Sequence, residues 1–195
     1  SGSFQLDRST EEASCILRET GKKEFHINGE NYRKFSEHIG RYPCVIIAPD
    51  DVQLIIGNSD ERRSFIDTML AQVDPAYLTA LIRYNKLLQQ RNTFLKSYAE
   101  KYHKDLSVLD ILDGQLLVEG NLIFKKRRDF LFQFLPVVKQ LYAEICEKFE
   151  NINLFYQSEL LEIHFQELLK LNRNKDIVML RTVGGPHKDD LLFQL

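Results

Sequence analysis

The sequence predicts an α+β fold in which β-rich segments flank a long helical hairpin. Strand-like runs bounded by turn residues occupy residues 4–58 and 151–195, and apolar side chains recur at helical spacing over residues 59–150. This order is typical of a sheet domain into which a helical arm is inserted. We therefore predict three segments: a β-rich lobe at 4–58, the arm at 59–150 and a return to the lobe at 151–195.

The first segment is predicted to contain a β-hairpin over residues 15–35, with turns at Gly21 and at Asn28-Gly29. The unbroken apolar run at 44–48 favours a buried strand, because strands covered on both faces lack polar alternation. Pro49 is expected to end that strand.

The arm is predicted to begin with a helix that has Ser59 as its N-cap and ends at about Val73. Asp74 followed by Pro75 repeats the start signal, and an apolar stripe then predicts a helix of about seven turns. Arg91 stands in this stripe where an apolar residue is expected.

A second apolar stripe runs over residues 109–145 and predicts a helix that packs antiparallel to the first. Gly114, Gly120 and Pro136 weaken it. Beyond it we predict a strand at 152–156, a helix at 159–171 and a strand at 191–195. The last strand has no evident sheet neighbour, so we expect a fragment of a longer protein.

Composition excludes several protein classes. The 195 residues are 44% hydrophobic and 28% charged with a net charge of −2, unlike collagen, disordered chains or disulfide scaffolds. The near-zero charge confines any DNA contact to local basic patches. Three unpaired-looking cysteines indicate a reducing, cytoplasmic location, and no apolar run is long enough for a membrane helix, so no membrane partner is expected.

Two charged pairs lie near the start of the arm. Asp50 and Asp51 follow the predicted buried strand, where carboxylates could bind Mg²⁺ or simply cap a turn. Arg62 and Arg63 occupy the first turn of a helix, where they oppose the helix dipole. They are expected to bind phosphate or to pair with Asp50, Asp51 or Asp67.

The densest group of special residues forms a loop near the end of the chain. It comprises Gly184, Gly185, Pro186, His187, Lys188, Asp189 and Asp190. Glycine permits positive φ and histidine with aspartate can bind metal, but no third ligand has a recognisable spacing, so no metal site is assigned. A strand-connecting turn is the alternative.

A basic run follows in the second long helix. Lys125, Lys126, Arg127 and Arg128 form a collar around the helix because successive residues point about 100° apart. Together with Arg83, Lys86 and Lys96 on the facing helix, the collar is predicted to contact a DNA backbone. A solvated charged face is the alternative.

No Ser-His-Asp arrangement or phosphate loop is evident. Two rival functions remain open. One is an autonomous helical adaptor or oligomerisation module that never binds nucleotide. The other is a small metal-dependent hydrolase that uses Asp50, Asp51, His187 and Asp190.

Several motifs of this sequence resemble those of the RecF family of bacterial DNA repair and recombination ATPases, and they occur in the same order as in that family. They are Pro49-Asp50-Asp51 with Leu54, Gly57, Arg62-Arg63 and Phe65-Ile66-Asp67; Asp74-Pro75-Ala76-Tyr77 and Gln90-Arg91-Asn92; and Gly185-Pro186-His187-Lys188-Asp189-Asp190-Leu191. The resemblance covers residues 15–195. The sequence departs from the family pattern at Asp50, Ser59 and Lys188, where the family usually has Glu, Pro and Arg.

The resemblance implies part of an ABC/SMC-type ATPase sheet lobe with its inserted antiparallel arm, lacking the phosphate loop, the signature loop and the acidic magnesium-binding strand. For the intact parent it implies ATP and Mg²⁺ as cofactors, an ATP-dependent homodimer, binding to DNA gaps or single-strand/double-strand junctions, and RecO and RecR as partners. For this chain it implies no catalytic residue, no bound cofactor and no ATP hydrolysis. Asp50 and Asp51 would lie near the nucleotide and magnesium.

Overall fold

The structure is a computed structural model that describes residues 1–6, 9–32, 34–43, 45–100, 105–146 and 152–194. It contains two compact units, Ser1–Val45 and Ile46–Leu195. The strands are β1 (Gly2–Leu6), β2 (Ser9–Leu17), β3 (Lys23–Ile27), β4 (Glu30–Asn31), β5 (Asn153–Gln157) and β6 (Asp190–Gln194). The helices are α1 (Gln53–Ile56), α2 (Ser59–Val73), α3 (Pro75–Glu100), α4 (Ser107–Ile145) and α5 (Phe165–Met179). The α+β prediction is confirmed.

The first unit is an antiparallel sheet in the order β1-β2-β3-β4. The predicted hairpin is confirmed, since β2 pairs with β3 and Cys15 lies opposite Phe25. Gly21 has a φ of 79°, and Asn28 and Gly29 have φ values of 50° and 84°. Glycine and asparagine adopt this left-handed region at low cost, which explains why the turns lie at these residues.

The predicted buried strand at 44–48 is wrong for the residues that the structure describes. Residues 45–48 lie in no strand, and Val45 has 90% of its surface exposed. Cys44 lies outside the described residues. An apolar run forms a buried strand only where neighbouring strands pair with it, and no described strand does so here.

The predicted helices of the arm are confirmed with one change of cap. The α2 helix spans the predicted residues, but Asn58 rather than Ser59 is its N-cap, and the Asn58 side chain accepts hydrogen bonds from the backbone N–H groups of Asp60 and Glu61. The Asp74 side chain accepts from the backbone N–H groups of Ala76 and Tyr77 and so caps α3.

The α3 and α4 helices form the predicted antiparallel hairpin. Arg83 pairs with Glu119, and Arg91 farther along α3 pairs with Asp113 farther back on α4. The α4 helix continues through Pro136 to Ile145. It therefore tolerates the helix-breaking residue that the sequence places there.

The last segment differs from expectation in two places. The predicted helix at 159–171 is instead a 3₁₀ turn at Glu159–Leu161, capped by the Ser158 side chain, followed by α5. The terminal strand has a neighbour after all, because β6 pairs antiparallel with β5.

One hydrophobic core joins α2, α3, α4, α5 and β6. Its buried members are Ile66, Leu70, Tyr77, Ala80, Tyr84, Leu116, Ile123, Leu131, Leu160, Phe165, Leu168, Leu169 and Leu191. The base of the hairpin is therefore packed from several sides. Among the described helices, none combines the length and apolarity needed to cross a membrane.

Candidate functional site

The loop at 184–190 passes through the core at the base of the hairpin. Gly185 has a φ of 126°, and a Cβ atom there would lie 2.8 Å from the Phe165 ring. A Cβ atom on Gly184 would lie 2.5 Å from the Asn172 side-chain nitrogen. Gly185 is therefore required both by close packing and by its backbone conformation, whereas a Cβ atom on Gly184 would first displace the flexible Asn172 side chain. Pro186 beside them is buried.

Arg62 and Arg63 bind the end of this loop. The Arg62 guanidinium donates to both carboxylate oxygens of Asp190, at 2.6 and 3.0 Å, and to the Gly57 carbonyl at 2.8 Å. Arg63 donates to the Asp189 carbonyl at 2.5 Å and pairs with Asp60. The two arginines thus form ion pairs within the protein, but their partners are Asp190 and Asp60 rather than the predicted Asp50, Asp51 or Asp67.

Burial and ion pairing act in opposite directions on the pKa of Asp190. Burial raises it, but the hydrogen bonds from Arg62 and the Leu191 N–H, together with the charges of Arg62 and Arg63, outweigh that effect, and the pKa of the carboxyl lies below its usual value. Both carboxylate oxygens of Asp190 are bound by Arg62, which leaves Asp190 poorly placed to act as a metal ligand.

Arg127 is buried, and the prediction that it contacts DNA is wrong. It donates to Asp67 at 2.7 Å, to the Tyr77 hydroxyl at 3.0 Å and to the Pro186 carbonyl at 2.7 Å, and it lies 3.3 Å from Asp189. These partners occupy its donors on the inner side of α4, away from solvent. The basic collar therefore has one structural member.

A second buried guanidinium connects α3 to three other segments. Arg91 is 0% exposed. It donates to Asp113 on α4 and to Asp176 on α5, each at 2.6 Å, and to the Thr182 hydroxyl at 2.9 Å. Burial raises the pKa of Asp176, although Arg91 and the Val183 N–H stabilise its charged form. The Arg91 Nη2 atom has no hydrogen-bond partner among the described residues.

His187 is neutral and fully hydrogen-bonded. Its Nδ1 lies 2.7 Å from the Tyr84 hydroxyl and its Nε2 lies 3.1 Å from the Thr182 carbonyl. A carbonyl only accepts, so Nε2 carries the proton and Nδ1 accepts from Tyr84. Burial lowers the pKa of His187 to about 4. Both ring nitrogens are therefore already used.

The acid pair lies on a 3₁₀ turn at Pro49–Val52, and both aspartates are exposed. Asp51 accepts from the Ala48 backbone N–H at 2.8 Å. No group of three potential metal ligands occurs in the described part of the chain. The hydrolase alternative needs Asp50, Asp51, His187 and Asp190 together, and the hydrogen bonds of the last two oppose it.

The remaining residues predicted to contact DNA differ in whether a carboxylate pairs with their positive charge. Lys86, Lys96 and Lys125 are exposed, and within the described ranges none of them forms a salt bridge. Lys126 pairs with Asp74 at 2.6 Å, and Arg128 pairs with its neighbour Asp129. Arg83 is two-thirds exposed and lies 3.5 Å from Glu119.

Comparison with known proteins identifies relatives of this chain. "DNA replication and repair protein RecF" of Phocaeicola vulgatus is 39% identical over 195 residues, which is 100% of this chain and 52% of that protein. RecF of Porphyromonas gingivalis is 43% identical over 176 residues, which is 90% of this chain and 47% of that protein. The chain is homologous to RecF. It spans about half the length of these curated relatives.

A solved structure of the recombination mediator protein RecF-ATPrS in the RecFOR pathway agrees with this relationship. It superimposes with a TM-score of 0.87 at 26% identity and covers 99% of this chain and 53% of the RecF chain. A RecF-ATP structure gives a TM-score of 0.85 at 25% identity over 95% of this chain. No protein-family model matches the chain. The resemblance to RecF inferred from the motifs is confirmed.

Residues of the RecF-like motifs contact the last loop or its neighbours. Arg62 and Arg63 of the first motif bind Asp190 and the Asp189 carbonyl of the last motif. Asp67 of the first motif accepts from Arg127, and Arg91 of the second motif donates to Thr182, which precedes the loop. Three members of this network were not predicted from the sequence: Asp113 and Asp176, which bind Arg91, and Tyr156, whose hydroxyl donates to Asp189. Only the arginine in the apolar stripe signalled it, because a buried guanidinium requires carboxylates nearby.

Lys188 is the exception within the RecF-like loop. Its side chain is exposed, whereas those of Asp189 and Asp190 are bound by Arg127 and Arg62. Its backbone N–H donates to the Gly185 carbonyl at 2.8 Å, which closes the 3₁₀ turn.

Proposed function

We propose that this chain is the arm and part of the ATPase lobe of a RecF-type DNA replication and repair protein, and that its helical hairpin contacts DNA phosphates. The supporting observation is a set of three exposed lysines on the hairpin, Lys86, Lys96 and Lys125, none of which forms a salt bridge with a described residue. No acidic residue occurs on α3 before Glu100. The nearby carboxylates of Glu119 and Asp129 on α4 pair with Arg83 and Arg128, so the three lysines keep positive charge that can attract a polyanion.

Salt dependence tests this proposal. Three phosphate contacts on duplex DNA predict a slope of about −2.7 for the logarithm of the affinity against the logarithm of salt concentration. Fluorescence anisotropy of a labelled duplex, measured with this chain between low and physiological salt, gives the slope. Lys86→Ala, Lys96→Ala and Lys125→Ala should each reduce its magnitude by about 0.9.

Lys170→Ala provides the matched control, because it removes the same charge from an exposed position on α5. It should leave the slope unchanged. If the three hairpin variants and the control all retain the parental slope, the hairpin does not contact DNA. The adaptor alternative would then be favoured.

For the longer protein we propose ATP and Mg²⁺ binding, an ATP-dependent homodimer, action at DNA gaps or junctions, RecO and RecR as partners, and a cytoplasmic location. The support is homology to RecF. The division of the chain at 58/59 and 150/151 belongs to the same proposal. Asp50 and Asp51 expose carboxylate oxygens that suit Mg²⁺, but with no third ligand among the described residues, nucleotide phosphates would have to complete the site.

This magnesium role has its own test. In full-length RecF carrying this segment, Asp50→Asn with Asp51→Asn should weaken magnesium-dependent ATP binding, measured with a fluorescent nucleotide. Asp60→Asn, which changes another exposed carboxylate, is the control. Equal nucleotide affinity in all three proteins would place Asp50 and Asp51 away from the nucleotide.

A further inference from the structure

An exposed phenylalanine stands on the outer side of α4. Phe132 has 82% of its surface exposed, whereas Phe130 and Phe134 stack on each other with ring centroids 5.1 Å apart and pack against the core. The two-residue spacing turns Phe132 about 200° from Phe130 around the helix. The core therefore does not account for an aromatic residue at position 132.

Three cations lie on the same face of α4 as this ring. Lys125 and Arg128 precede Phe132 by seven and four residues and Lys139 follows it by seven, so all four side chains share one face of α4. All three cations are exposed, although the Lys139 ammonium donates to the Asn153 side-chain oxygen at 3.2 Å, a neutral partner that leaves its charge uncompensated. Asp129 is the one acidic residue between positions 125 and 139, and it pairs with Arg128.

Arg128 also contacts the aromatic ring of Phe124, on the side of α4 that faces the core. Its guanidinium carbon is 5.8 Å from the centroid of the Phe124 ring. A cation–π contact of this kind restrains the long side chain at modest energy. One cation of the face is therefore held in place next to Phe132, whereas Lys125 is free to follow a ligand.

We propose that Phe132 stacks on an unpaired base of DNA, with Lys125, Arg128 and Lys139 binding the flanking phosphates. This rests on the proposed function that the hairpin contacts DNA at gaps or junctions, and it assigns the residue that would hold the unpaired base there. Bases in an intact duplex are stacked on one another, so a ring outside the helix gains nothing from them. An unpaired base presents its flat face to an aromatic side chain.

The charges favour this ligand over an apolar protein surface. A protein interface centred on Phe132 would have to bury the neighbouring charged heads of Lys125 and Arg128, and charged groups are depleted from interface cores. Phosphates on both sides of a base satisfy the same cations without burying them.

The experiment compares a labelled 20-base-pair duplex with the same duplex carrying a 10-nucleotide single-stranded extension, both measured by anisotropy with this chain. Phe132→Ala should reduce affinity for the extended DNA about tenfold and leave affinity for the blunt duplex unchanged. Phe132→Tyr should restore the preference because the flat ring is kept, and Phe132→Leu should not. Gln133→Ala, an adjacent exposed position, is the matched control.

Each other outcome overturns the inference in a recognisable way. If Phe132→Ala leaves both affinities unchanged, or Phe132→Leu behaves as the parent does, base stacking is wrong. If the parent binds both DNA molecules equally, the single-strand assignment is wrong while the proposed DNA contact stands. If the parent binds neither DNA at all, the proposed function itself fails. The exposed ring would then be assigned to a protein partner.

Discussion

Buried and exposed positions of the helical hairpin use the same residue types in opposite ways. Arg91 and Lys96 lie five residues apart on α3, yet Arg91 is buried between Asp113 and Asp176 and Lys96 is exposed with no salt bridge in the described ranges. Arg127 and Lys125 repeat the contrast on α4. A cation is structural where the helix meets other segments and available to a ligand where it does not.

The physical basis of this contrast is desolvation. A guanidinium taken out of water is tolerated only when carboxylates and carbonyls accept its hydrogen bonds. Arg91 and Arg127 together reach α2, α4, α5 and the loop at 184–190. Removing either arginine deprives a buried carboxylate of its positively charged partner. Removing an exposed lysine only lets water occupy the vacated site.

The largest expected effect comes from the buried Arg91. Arg91→Ala should lower the free energy of unfolding by about 3–5 kcal/mol, because the fully buried Asp176 loses the guanidinium that pairs with it, while Asp113 retains only its longer contact with Arg173. Urea unfolding monitored by circular dichroism measures this. Lys96→Ala on the same helix should change stability by less than about 0.5 kcal/mol. Similar losses in both variants would refute the contrast between buried and exposed positions.

The second prediction concerns His187 and pH. The folded pKa of about 4 lies below the ordinary value of 6.5, so the unfolded chain binds a proton that the folded chain does not. Stability present above pH 6.5 should therefore be lost as pH falls towards 4, by up to about 3 kcal/mol. His187→Gln should remove this part of the pH dependence in urea titrations at several pH values.

His164→Gln is the control for that titration, since His164 is exposed. It should retain the parental fall in stability between pH 6.5 and 4. A His187→Gln variant with the parental slope would mean that His187 is not the titrating group.

The third prediction tests a partly exposed pair. Arg62→Ala should cost about 2 kcal/mol, less than Arg91→Ala, because solvent compensates part of the loss at Asp190. A double-mutant cycle with Asp190→Asn should show positive coupling. Zero coupling would show that Arg62 acts through the Gly57 carbonyl alone.

The smallest effect on stability is expected at an exposed position. Lys125→Ala should change the free energy of unfolding by less than about 0.5 kcal/mol while altering the salt slope of DNA binding as proposed above. Thermal unfolding with parallel anisotropy measurements separates the two effects. A stability loss comparable with that of Arg62→Ala would mean that Lys125 has an internal partner.

Local patterns of the sequence determined the order of elements, the hairpin turns, the bounds of α2 and the antiparallel arm. Caps, turn glycines and helical periodicity act over a few residues, so they can be recognised without the fold. The tertiary structure alone decided which cations are structural: Asp176 lies 85 residues from Arg91 and Asp189 lies 62 residues from Arg127. It also decided that residues 45–48 are not a buried strand, because burial depends on distant partners that no local pattern specifies.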